Sequence, residues 1–195
     1  MTLNYIIEIN DALKALKFVS HAQSKEETRY YLVGVFFDKK AGERLRLIAT
    51  DGHRLHSIYI GDADETEFTK LISTADIKAI IASLTHYKKT MSHFILVDNG
   101  YRIDNLPIMP IVEIDGTFPP YQRVIPEIEN EATAIGHYQA RYLLETFKAF
   151  ADLYKDSYTA CTMQSNSAHQ PALIIPHANE QSKFNALAVI MPTRV

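Results

Sequence analysis

One pattern recurs three times along this chain and limits what it can fold into. A short β-rich run is followed by an amphipathic helix and then by a cluster of further short β-rich runs. The first occurrence starts at "NYIIEIN" and passes into "DALKALKFVSHAQ". There Asn10 or Asp11 is predicted to cap the helix, and Leu13, Leu16 and Val19 recur at helical spacing. The runs "TRYYLVGVFFD", "RLRLIAT" and "HRLHSIYI" follow and are predicted as strands. The second occurrence has strand "FTKLIS" and helix "TADIKAIIASLTHY", with Thr74 as its cap and Ile77, Ile80, Ile81 and Leu84 on one face. It ends in the short strands "SHFILVDN", "YRIDNL" and "IMPIVEIDG", punctuated by Asn-Gly and Pro. The third runs from "ATAIGH" through helix "QARYLLETFKAFADLY" to "SYTACTMQ", "PALIIP" and "FNALAVIMP". Three units of about 60 to 70 residues fill the chain, so an α+β fold of three βαβββ units is expected. The acidic run "PEIENEAT" from Pro126 is the candidate boundary, with residues 1–125 on one side and 126–195 on the other.

Composition excludes several classes. A single cysteine, Cys161, rules out a disulfide framework and a cysteine-based zinc site, and fits a reducing compartment. No apolar run approaches the roughly 18 residues needed to span a bilayer. The start "MTLNYIIEIN" lacks a basic region before its apolar run and so makes a poor signal peptide. A cytoplasmic protein is expected. The net charge of −3 gives no bulk signal for nucleic acid, yet an acidic protein can carry a local basic stripe. Such a stripe is suggested by Lys14, Lys17 and His21 on the first helix and by Arg141, Lys148 and Lys155 on the third. Lys78 and the pair Lys88-Lys89 are the second helix's poorer counterpart. These sets read either as solvated polar faces or as a strip that meets nucleic-acid backbone.

The stretch "LIATDGHRLHSIYI" concentrates Asp51, His53, Arg54 and His56 around a turn. As a metal site the pattern fails, because residues three apart on a strand point to opposite faces. No nucleophile elbow is present, the seven glycines form no phosphate-binding loop, and Asp64, Glu65 and Glu67 form an ordinary solvated charge cluster. Cys161 on a predicted strand reads as core. A non-enzymatic protein without metal or cofactor is expected.

The same stretch carries a resemblance. "ATDGHRL" resembles a segment of the middle domain of the bacterial DNA polymerase III beta sliding clamp family. "RYYLVGVFF" is similar to that family's R-Y-Y-L-N-G strand, and "IDGTFPPYQRVIP" to its D-G-x-F-P-D-Y-x-R-V-x-P linker. "YQARYLLETF" is similar to the F-N-x-x-Y-L-L helix of the last domain, and "AVIMPTRV" to the terminal V-M-P-M-R-L. The five motifs fall in order over most of the chain. Departures are Val33 for Asn, Gln139 for Asn, Thr193 for Met, His56 for a small residue, and Thr74-Ala75 for an Arg-Lys pair.

The resemblance implies a DNA-clamp fold in short form. Residues 1–125 would equal the middle domain, with two βαβββ halves, and 126–195 the second half of the last domain. It implies a DNA replication or repair processivity factor that encloses duplex DNA without sequence specificity. It also implies a pocket for the peptide motifs of a DNA polymerase and other partners. Carried over by position, that pocket comprises Leu32, Thr50, Gly52, His53, Arg54, Leu55, Pro119, Arg123, Val124, Gln139, Tyr142, Val189, Ile190, Met191, Pro192 and Arg194. The DNA-facing set is Lys14, Lys17, Arg29, Tyr30, Tyr31, Lys78, Arg141, Lys148 and Lys155. In this reading His53, Arg54 and Leu55 line a peptide groove.

A clamp ring contains twelve such halves, so a chain of three implies a homo-oligomer, either a ring of four or a dimer. The third unit is expected to expose a helix face bearing Tyr142, Leu143, Phe147 and Phe150 together with a sheet edge, which two copies would cover by a twofold. Edges of the first units would make the second contact. The alternative reading is a decoy or adaptor that does not slide, sequestering clamp-binding peptides or associating with a full-length clamp.

Overall fold

The computed structural model describes residues 2–128, 136–155, 159–177 and 183–193. The first unit is β1 (Asn4–Glu8), α1 (Ile9–Ser20), β2 (Gly34–Lys39), β3 (Leu45–Thr50) and β4 (Arg54–Ile60). The second is β5 (Phe68–Ser73), α2 (Thr74–Tyr87), β6 (His93–Val97), β7 (Gly100–Ile103) and β8 (Met109–Pro110). The third contributes α3 (Ala140–Leu153), β9 (Ala160–Gln164), β10 (Ala172–His177) and β11 (Asn185–Ile190). The strand predicted over "ATAIGH" falls largely on residues 129–135, outside the described ones.

The first two units exchange their leading strands. β1 pairs with β6, giving a four-stranded sheet in the order β1-β6-β7-β8, while β5 pairs with β2. The second sheet has seven strands in the order β5-β2-β3-β4-β11-β10-β9. Every pairing is antiparallel, and the third unit joins the first through β4 and β11. The edge strands are therefore β1 and β8 of the smaller sheet and β5 and β9 of the larger one. Within the first unit β2, β3 and β4 are each paired on both sides, which leaves β1 as its edge strand.

The helices share one face of the sheets, with α1 between α2 and α3. Leu13, Leu16 and Val19 of α1 and Ile77, Ile80 and Leu84 of α2 are buried, as their spacing requires. Helix starts differ from expectation. Ser73, not Thr74, caps α2, its hydroxyl accepting from the Asp76 amide at 3.1 Å. α1 begins at Ile9 with Glu8 at the cap position and no side-chain cap, so neither Asn10 nor Asp11 serves.

Two predicted strands, "TRYYLVGVFFD" and "IMPIVEIDG", form only in part. Glu27–Leu32 forms 3-10 turns, because Arg29 and Tyr30 face solvent while Leu32 alone is drawn inward. "IMPIVEIDG" contributes only Met109–Pro110 and a bridge from Glu113 to Ile72. The exposed face of α3 also differs. Phe150 is buried against Phe18 and Tyr142 and Leu143 are half-buried, so Leu144 and Phe147 are the exposed large residues.

His56 fastens the three elements that meet at this centre. It lies fully buried on β4, stacked on Phe18 of α1 with ring centroids 4.8 Å apart. Its Nδ1 is 3.0 Å from the Phe18 carbonyl and its Nε2 is 3.0 Å from the Thr146 hydroxyl of α3. The carbonyl can only accept, so Nδ1 carries the proton and Nε2 accepts from Thr146. Burial holds the ring neutral and pushes its pKa down to about 3.

The unfolded chain takes up a proton in the ordinary imidazole range while the fold does not. Stability is thus complete above that range, falls as pH drops through it, and levels off below a pH of about 3. Urea unfolding should show His56 costing about 2 kcal/mol between pH ~7 and pH ~5. His56→Gln should flatten that dependence by the same amount. An unchanged slope in the variant would show that His56 is not the group responsible.

Candidate functional site

The turn before β4 is built by its own side chains. One Asp51 carboxylate oxygen accepts from the amides of His53 and Arg54, both at 3.0 Å. The Thr50 hydroxyl accepts from the Gly52 amide and donates to the Arg54 carbonyl. Gly52 sits at φ +86°, a conformation that favours glycine, with the flexible Arg29 side chain beside it. The turn is tied to the end of β11 by the Met191 amide, which donates to the His53 carbonyl at 2.8 Å.

On the sheet face away from the helices, Leu55 of β4 and Val189 of β11 stand opposite each other in the ladder. They floor an apolar cavity of about 160 Å³, walled by Leu32, Thr50, Gly52, Arg54, Met191 and the segment Phe118–Tyr121 with Val124. That segment is anchored by stacking of Phe118 on Phe36 (4.8 Å, interplanar angle 7°). A 2.6 Å hydrogen bond from the Tyr121 hydroxyl to Asp38 holds its other end. Burial, and then the carboxylate acceptor, keep Tyr121 above the ordinary phenol range and therefore neutral.

Arg54 separates this cavity from a polar one. Its side chain is only 4% exposed, and its guanidinium lies 3.1 Å from Asp51, 2.5 Å from Glu145 and over the Tyr142 ring. Burial raises the Glu145 carboxyl, but the hydrogen bonds and charge of Arg54, with help from Arg141, outweigh it and hold the group below the usual carboxylate range. Beyond Arg54 lies a polar cavity of about 560 Å³ whose lining includes His21, Gln23, Lys25, His53, Arg141, Tyr142 and Lys148. His53 stacks on Tyr142 there.

The expected pocket residues thus divide between two neighbouring cavities. Leu32, Thr50, Gly52, Arg54, Leu55, Pro119, Val124, Val189 and Met191 line the apolar one. His53 and Tyr142 line the polar one, with Arg54 common to both. Ile190 is a buried core residue on the helix side of the sheet and lines neither. Exposed Arg123, exposed Gln139 and half-buried Pro192 also stand outside both linings. Arg194 lies outside the described residues. Phe118, Pro120 and Tyr121 were missed, although the aromatics flanking the double proline in "FPPY" were a visible signal.

The expected DNA-facing residues also divide. Lys14, Lys17 and Lys155 gather with Lys88 around a cleft of about 890 Å³ between the three helices, which Asp152 shares. Arg141 and Lys148 continue the same flank of α3 toward Arg54. Lys78 is exposed on α2 away from that cleft. Arg29 and Tyr30, both exposed, and half-buried Tyr31 lie on the 3-10 turns, with Arg29 beside Gly52 at the edge of the apolar cavity. Among the described residues no cluster of His, Cys, Asp or Glu could hold a metal, and no helix is long and apolar enough to cross a membrane.

This arrangement, helices on one face and pseudo-twofold sheets on the other, is the fold of the DNA clamps. The beta subunit of DNA polymerase III from Thermotoga maritima superposes with a TM-score of 0.79 at 18% identity, covering 99% of this chain and 66% of that one. A ligand-bound sliding clamp from Pseudomonas aeruginosa gives 0.74 at 19% with the same coverage. A Bartonella birtlesii clamp bound to griselimycin gives 0.68 at 21%, again over 99% and 66%.

By sequence the chain is similar to beta sliding clamps. It is 25% identical over 178 residues to that of Pseudomonas aeruginosa, matching 84% of this chain and 44% of the relative. To that of Escherichia coli it is 26% identical over 129 residues, matching 58% and 31%. The chain spans less than half the length of these curated relatives. No family model matches it.

Removing Arg54 leaves Asp51 and Glu145 facing each other beside a ring that has lost its cation. Arg54→Met should lower stability by about 2 kcal/mol, since Glu145 is partly solvated and recovers some of the loss. Arg141→Met, on a side chain 65% exposed, should cost far less. Equal midpoints for the two variants in urea would show that Arg54 does not hold the third unit in place.

Proposed function

We propose that the chain is a sliding-clamp-like processivity factor of DNA replication or repair, a non-catalytic cytoplasmic protein. It holds duplex DNA without reading its sequence and tethers partners by their short peptide motifs. Residues 1–125 form one clamp domain of two halves and residues 126–195 a further half. The observation that carries this reading is the apolar cavity at the seam of β4 and β11, assembled from two units and flanked by the polar cavity at His53 and Tyr142. A few apolar anchors entering such a cavity, with a polar residue beside them, is the usual solution for a linear peptide. The lysines that three helices bring to one cleft support the DNA contact, because neutralising phosphates requires no base contact. As a clamp the protein is a homo-oligomer, a ring of four chains or a dimer. A decoy or adaptor for clamp-binding peptides is the second reading, for which the cavity alone is needed.

A peptide of the type Gln-x-x-Leu-Phe should bind with micromolar affinity, about −8 kcal/mol. Removal of residues 191–195 takes away Met191 and its bond to His53, and should abolish binding with little effect on the fold. Equal affinity in calorimetry would put the peptide elsewhere.

DNA binding should be weak, indifferent to sequence and steep in salt, each phosphate contact contributing about −0.9 to the slope of log K against log salt. Lys17, Lys148 and Lys155 changed together to Ala should make that slope shallower. An unaltered slope, or tight binding to one sequence, would refute the sliding surface; absence of DNA binding with peptide binding intact would favour the decoy.

A further inference from the structure

The first two units show how this kind of unit protects itself. Each has a helix flank and a sheet edge that it does not cover. α1 packs against α2, the leading strand of the first unit pairs with β6, and the leading strand of the second pairs with β2. The exchange is reciprocal, so each unit closes the other.

The third unit has half of that protection. The inward side of α3 buries Thr146, Phe150 and Leu153, and the flank bearing Tyr142 and Ala149 is turned toward α1. The opposite flank carries Ala140, Leu144, Phe147 and Ala151, all exposed, spaced so that they form one stripe. Leu144 is 70% and Phe147 40% exposed. No charged residue interrupts the stripe, since Arg141, Lys148 and Lys155 fall beside it. β9 corresponds to β2 and β6 as the first strand after the helix. Those two are flanked by β5 and β1, whereas the outer edge of β9 is unpaired among the described residues.

The edge at β8 is built differently. β8 has two residues, and the Ile111 amide donates to the Asn99 carbonyl, so by alternation Pro110 faces away from β7. At that outward position proline has no N–H to offer a further strand. The edge at β8 is blunted against pairing and the edge at β9 is not.

We infer that a second copy of this chain covers the outer flank of α3 and the edge of β9 through a twofold, repeating between chains the junction that joins the first two units. An uncharged apolar stripe is self-complementary and meets its own copy without like-charge repulsion, as an isologous contact requires. The inference deepens the clamp reading and, for its consequence, rests on it. In a ring of four chains, a twofold between neighbours lies in the plane of the ring. The peptide cavities of the two chains therefore open toward opposite faces.

The test is sedimentation velocity on the full chain at micromolar concentration, with Leu144→Glu/Phe147→Glu as the interface variant. The wild type should be a dimer or a multiple of it, and the variant a monomer with an unchanged circular dichroism spectrum. Peptide affinity should be unchanged in the variant, because Leu55 and Val189 lie on the opposite sheet face. In a Cys161→Ala background, Leu144→Cys or Phe147→Cys should give a disulfide-linked dimer on oxidation, and Ile108→Cys beside β8 should not. A monomeric wild type, or cross-linking from Ile108→Cys alone, overturns the inference. A dimer that fails to bind peptide would leave the interface standing and remove the clamp reading.

Discussion

The register between β4 and β11 is the constraint on which the rest of the molecule depends. Successive residues of a strand face opposite sides, and Leu55 opposite Val189 is followed by His56 opposite Ala188. The first pair floors the apolar cavity on one face. The second lies under the helices, where His56 reaches both Phe18 and Thr146. A slip of one residue would put an imidazole on the cavity floor and leave Phe18 and Thr146 without their partner. The same two-residue step thus seats the third unit's helix and shapes the site.

Charge is distributed along that seam with the same economy. Arg54, at the head of β4, turns its guanidinium toward α3 and satisfies it with one carboxylate from its own turn and one from the neighbouring unit. Beyond it the basic flank of α3 runs on to Lys155, where Lys14, Lys17 and Lys88 meet it from the other helices. A protein with a net charge of −3 can in this way present one cationic region, because the side chains that compose it come from three separated segments.

Much of the fold was legible because its signals are local. The buried sides of α1 and α2 follow from residues three and four apart, and the strands of the seven-stranded sheet from short β-rich runs bounded by turns. Failures came where neighbouring residues offer the same chemistry or where a distant surface decides. Ser73 and Thr74 are adjacent hydroxyls, and only the backbone conformation at Ser73 selects the cap. "RYYL" has strand propensity but folds as 3-10 turns, since Leu32 is needed at the cavity wall. The turn of the site could be read from Asp51-Gly52. The wall made by Phe118 and Tyr121 could not be placed, because its anchors, Phe36 and Asp38, lie some eighty residues earlier on β2 and only the folded sheet brings them together.

The seam at β4 and the edge at β8 also bear on why one short repeat can be extended here and stopped there. Extension at β4 needs donors and acceptors in step with β11 over six residues, and the side chains on both faces then find partners. At β8 the ladder runs for two residues and its outward donor is missing at Pro110, so backbone pairing cannot continue by the same means. Exposed Ile108 and Val112 flank that proline, which leaves side-chain packing as the means by which anything could adhere there. Side-chain packing without a ladder is the weaker and more reversible kind of junction, since it lacks the row of hydrogen bonds that fixes register. The β4–β11 seam has both the ladder and packed side chains on its two faces, and the cavity stands there.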